Sequence, residues 1–118
     1  MIPVKHKKGV KLYRETKYRG GGVVPRETIR PEITMIIPSV AARFEQCGAS
    51  YCMITSAMDG THSEKSLHYK GLALDFRIKH LSRPDDAGRI TANLRRDLGD
   101  NYDVVLEKTH IHIEYDPD

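Results

Sequence analysis

The 118-residue chain is predicted to be α+β, an antiparallel β-sheet with helices on one face. Two observations predict this class. Apolar residues recur at helical spacing over roughly 32–47 and again after Pro84. Residues 72–78 and 110–115 instead alternate with a period of two.

Taken in order, the chain opens on a basic segment, 1–31, that ends in an irregular connection. Gly20-Gly21-Gly22, Pro25 and Pro31 mark that connection. A helix follows over about 32–47, with Val40, Phe44 and Cys47 on one stripe. Gly48 stops it, and Pro38 kinks or delays it. Tyr51–Thr55 reads as a buried strand, and 57–70 as a polar, turn-rich stretch containing Asp59-Gly60. In the strand 72–78, Leu72, Leu74, Phe76 and Ile78 share one face, with Ala73, Asp75 and Arg77 on the other. Ser82-Arg83-Pro84-Asp85 has the form of a capping box with proline in the first turn. Ala87, Ile90, Leu94 and Leu98 then form a stripe that ends at Gly99. Strands over about 102–107 and 110–115 finish the chain. In the last, Ile111, Ile113 and Tyr115 face one way, and His110, His112 and Glu114 the other. Asp75, His110 and His112 are therefore expected on the sheet face away from the helices.

Charge is divided unevenly. Residues 1–31 carry nine Lys/Arg against Glu15 and Glu27, a net of +7, and the remainder carries −4. Such an arm can touch any polyanion, whether nucleic acid, phospholipid or anionic wall polymer. It contains Tyr13 and Tyr18 but no recognisable nucleic-acid motif, so specific nucleic-acid binding is not expected. A mean hydropathy of −0.52 and the absence of a long apolar run exclude a transmembrane helix. The first residues lack the apolar core of a signal peptide, so synthesis in the cytoplasm is expected. Cys47 and Cys52 are too few for a disulfide framework or a zinc knuckle and read as small core residues. The acidic residues Asp59, Glu64, Asp85 and Asp86 do not have EF-hand spacing.

The histidines carry the chemistry. A catalytic zinc needs three protein ligands and an open position. Gly71 permits a tight turn that brings Asp75 back towards His68, and His112 on the last strand offers a third ligand. Activating water also requires a base nearby. If Lys108-Thr109 is a two-residue hairpin loop, Glu107 and His110 lie opposite each other on the face of His112.

Ser66-Leu67-His68-Tyr69-Lys70-Gly71-Leu72-Ala73-Leu74-Asp75 resembles the S-x-H-x-x-G-x-A-x-D motif of the zinc D-alanyl-D-alanine carboxypeptidase and dipeptidase family. It is also similar to the hedgehog signalling domain, which shares that fold. The likeness includes His62-Ser63-Glu64-Lys65, resumes at Glu107-Lys108-Thr109-His110-Ile111-His112, and covers about residues 50–115. It implies a hedgehog/DD-peptidase-like domain over 32–118 that holds one Zn²⁺ through His68, Asp75 and His112, with Ser66 near the substrate.

There are two departures from the family pattern. Many bacterial members have E-x-x-H, but the glutamate position is Thr109 here, so the base is Glu107 or His110. In one arrangement Glu107 is the base and His110 stabilises the oxyanion; in the other the roles exchange. The family's S-G-Y-R is replaced by Thr55-Ser56-Ala57-Met58, which has no arginine; Arg30 and Arg43 are the candidate substitutes. Tyr69, Lys70 and His62 read as loop residues.

The resemblance implies a zinc metallopeptidase that hydrolyses a peptide bond in peptidoglycan stem peptides. It would be a D-Ala-D-Ala carboxypeptidase or a stem-peptide endopeptidase. Its size and basic arm fit a phage or prophage lysin that reaches the wall through a holin-like pore. The alternative is a non-catalytic hedgehog-like zinc domain that binds a protein or wall partner.

Overall fold

Five strands form one sheet in the order β1-β2-β3-β5-β4. The strands are β1 (Val4–His6), β2 (Cys52–Ser56), β3 (Ala73–Arg77), β4 (Tyr102–Leu106) and β5 (His110–Tyr115). The helices are α1 (Pro31–Thr34), α2 (Ile37–Gln46) and α3 (Asp86–Leu98). This computed structural model describes residues 1–10, 12, 29–57 and 71–117.

The chain is α+β, but the sheet is mixed rather than antiparallel throughout. β1 pairs with β2 in parallel, matching Val4 to Cys52 and His6 to Ile54, while every other pairing is antiparallel. Val4-Lys5-His6 has no apolar alternation to announce a strand; its backbone joins the exposed edge of β2.

The expected helix over 32–47 is two helices. Pro38 has no N–H to offer Thr34, so the chain turns at Met35-Ile36 and restarts with Pro38 in the first turn of α2. α2 ends in a Schellman motif. Gly48 takes φ +81°, its N–H donates to Glu45, and the Ala49 N–H donates to Phe44. α3 also begins later than its capping-box signature suggests. No Ser82 side-chain cap forms; instead Asp86 Oδ2 accepts the Arg83 N–H at 3.1 Å. This is the acidic half of a capping box shifted by one residue, which leaves Pro84 in the turn before the helix.

The alternation in the strands builds the core. Cys52, Ile54, Leu74, Phe76, Val104, Ile111 and Ile113 join Ile33, Val40, Phe44, Ile90 and Leu94 in one buried cluster. All three helices thus cover one sheet face. Two polar ties fix this layer to β4: Arg95 Nε donates to the Val104 carbonyl at 2.9 Å, and the Tyr102 hydroxyl to the Glu32 carbonyl at 2.6 Å. Cys52 is buried and Cys47 half-buried, both as free thiols. No described helix is long and apolar enough to cross a membrane.

Candidate functional site

The sheet face away from the described helices carries the residues that alternate away from the core. β3 and β5 pair in register, placing Asp75 beside His112 and Arg77 beside His110. A bulge lies next to this point: Ile54 pairs with Phe76, but Ser56 pairs with Asp75, leaving Thr55 extra on β2. The Thr55 hydroxyl donates to the Asp75 carbonyl at 3.4 Å.

His112 is held at both ring nitrogens. Nδ1 lies 2.8 Å from Asp75 Oδ1, and Nε2 lies 2.7 Å from Glu114 Oε1. The Asp75 hydrogen bond is the main cause of a pKa pushed up to about 9; burial opposes the rise and Glu114 adds to it. With a carboxylate at each ring nitrogen, His112 is held as an imidazolium.

The second histidine stands beside the first. His110 Nε2 is 2.8 Å from Glu107 Oε2 and 3.7 Å from Asp75 Oδ2. Its Nδ1 lies 2.9 Å from the Thr109 hydroxyl. In the tautomer where Thr109 donates to Nδ1, Nε2 carries the ring proton and points it at Glu107; in the other, Nδ1–H donates to the Thr109 hydroxyl. Lys108-Thr109 does form a two-residue loop, closed by the Glu107 N–H donating to the His110 carbonyl at 2.9 Å. Neither loop residue has positive φ, so the turn is not one of the primed types usual in such hairpins.

Four sequence-predicted residues thus meet on one face: Asp75, His112, His110 and Glu107. His68, expected as a ligand, and Ser66, expected at the substrate, lie outside the described residues, as do His62, Tyr69 and Lys70. Tyr13 and Tyr18 of the basic segment also lie outside them. Arg43 stands apart from the site. On α2, its guanidinium forks onto Asp97 of α3 at 2.6 and 2.7 Å.

The donor set tests whether zinc suits the site. Asp75 and His112 supply one carboxylate oxygen and one ring nitrogen at the same point, both common zinc donors. Glu114 on the far nitrogen of His112 is the carboxylate partner that metal-bound histidines usually have. The residues fit the metal, with His68 as the third ligand the sequence offers.

Sequence reasoning missed the partnership of Glu114 with His112. The signal was available, since Glu114 continues the His110-His112 alternation onto the same face. Glu114 also belongs to an acidic group with Asp103 and Asp116, whose ligand oxygens lie within 4.8 Å of one another.

Comparison of the chain with family models, curated proteins and solved structures gave no match.

Proposed function

We propose that the chain is a zinc-dependent peptidase that hydrolyses a peptide bond in bacterial peptidoglycan stem peptides. One observation carries the reading: Asp75 and His112 meet on the sheet face away from the described helices, with the Glu107–His110 pair beside them. The motif likeness at Ser66–Asp75 and Glu107–His112 supplies the substrate class.

In this reading His68, Asp75 and His112 hold the metal, and Glu114 fixes the His112 ring through Nε2. A zinc ion held there would supply Lewis-acid polarisation of the scissile carbonyl and a water of lowered pKa, about 7. Glu107, about half exposed, can be reached by the attacking water and accepts its proton. Once protonated, Glu107 is a weaker acceptor for the His110 Nε2–H. That N–H then turns to the oxygen on which charge develops, and Thr109 keeps the ring tautomer unchanged. Glu107 afterwards passes its proton to the leaving amine. Exchanging the roles of Glu107 and His110 requires the other tautomer, with Nδ1–H donating to the Thr109 hydroxyl, Nε2 free to take the proton and Glu107 protonated.

The test is a mass-spectrometric digest of purified peptidoglycan and soluble stem peptides with zinc-loaded protein, beside a chelated control. Chelator-sensitive fragments are expected, and their masses name the bond. Glu107→Gln should retain zinc and lose about 100-fold or more in rate. An unchanged digest from protein with stoichiometric zinc refutes the peptidase and leaves the binding domain.

A further inference from the structure

Beside the Glu107–His110 pair runs an open groove of about 470 Å³. Among the described residues lining it are Lys7, Thr55, Arg77, Lys79 and His110, and no carboxylate. Three cations therefore face one concavity. Lys7 follows β1, Arg77 ends β3 and Lys79 lies two residues beyond it, so the sheet and the chain leaving it collect them.

Arg77 is the centre of this arrangement. It is the cross-strand partner of His110 and sits two residues along β3 from Asp75, on the same face. Its Nε is buried with no hydrogen-bond partner among the described residues. A buried guanidinium N–H is costly to leave unpaired, and a carboxylate is the group its planar fork fits. Other arginines here are already engaged: Arg43 by Asp97, Arg89 by Asp85 and Arg95 by the Val104 carbonyl.

We infer that Arg77, flanked by Lys7 and Lys79, is a substrate-binding residue that takes a carboxylate of the peptide. This rests on the peptidase reading and names the substrate class within it, a peptide acidic to one side of the cut bond. Two strand residues span about 7 Å. The carboxylate therefore lies about two peptide residues from the bond held at Asp75 and His112. A C-terminal carboxylate and a side-chain carboxylate share this chemistry.

The experiment uses matched soluble stem peptides. One series is the free acid; in a second the C-terminal carboxylate is amidated, and in a third the side-chain carboxylates. Binding to the zinc-loaded Glu107→Gln protein is measured by calorimetry, and kcat and KM are measured with the otherwise wild-type enzyme. Arg77→Gln should weaken binding of the free acid and raise its KM by roughly 10- to 100-fold, with kcat little changed. The amide lacking the relevant carboxylate should bind wild type and Arg77→Gln alike, which tells the two carboxylates apart. Arg77→Lys should recover only part of the loss, because it keeps the charge without the fork. Equal binding of acid and both amides, or an Arg77→Gln protein that keeps the full preference, overturns the inference while hydrolysis stands. Absence of hydrolysis alongside Arg77-dependent binding of the acid sinks the peptidase and keeps the carboxylate site. Should Arg77→Gln fail to fold, Lys7→Gln/Lys79→Gln must lower acid binding in the same direction, and no change in that variant overturns the inference.

Discussion

His112 gives the metal-free protein an unusual pH dependence. Clamped between Asp75 and Glu114, its ring keeps its proton to about pH 9, against about 6.5 for an unperturbed histidine. The folded state therefore holds a proton that the unfolded chain gives up first. The stabilisation is complete below about pH 6.5 and is lost as pH rises through about 9. A rise from 6.5 to about 9 corresponds to about 3 kcal/mol, and the side chain is only 17% exposed, so solvent screens little of it. The assay is urea denaturation in excess chelator at about pH 6 and about pH 9.5, for wild type and His112→Gln. Wild type should lose about 3 kcal/mol more than the variant over that interval. Saturating zinc should reverse the slope, because His112 must shed its proton to ligate, which makes binding tighter at high pH. Identical slopes for wild type and His112→Gln in chelator would refute the reasoning.

Three further outcomes are expected. Phe76→Ala, which empties a fully buried site beneath Asp75, should cost about 3–5 kcal/mol in urea denaturation. His80 works in the opposite sense to His112. Burial, against a hydrogen bond to the Tyr51 carbonyl, holds its pKa below the usual histidine value. Its contribution should be complete above about pH 6.5 and fall on acidification, and His80→Gln should flatten that acid limb in the same denaturation series. Arg43→Met should leave hydrolysis unchanged and lower stability by an amount that added salt reduces, since among the described residues its partners are Asp97 and Gln46 on the helical layer.

Much of this arrangement was legible because two-residue periodicity survives any tertiary context. β5 begins and ends where its alternation does, and the same alternation puts Asp75, His110 and His112 on the face away from the described helices. The Glu107–His110 pair was legible from loop length alone, although Lys-Thr is unfavourable in such a turn. β1 was not legible: three residues without an apolar pattern become a strand only through a partner far along the chain. Ser82 misled because Asp86, one residue beyond the expected capping position, caps the Arg83 N–H instead and is buried there. The groove was hidden for another reason. Lys7 and Lys79 look like ordinary surface lysines until the sheet brings them to Arg77.

The hairpin at Lys108-Thr109 has a consequence for how this site tolerates change. The spacing of Glu107 and His110 is held by loop length and backbone register rather than by a glycine that only one residue type can replace. Substitution libraries at Lys108 should therefore yield many working sequences. A single inserted or deleted residue would slip β5 against β4 and turn His110 and His112 into the core. Sequence drift at the loop is cheap, length drift is forbidden, and any engineered graft of this site must carry the hairpin whole.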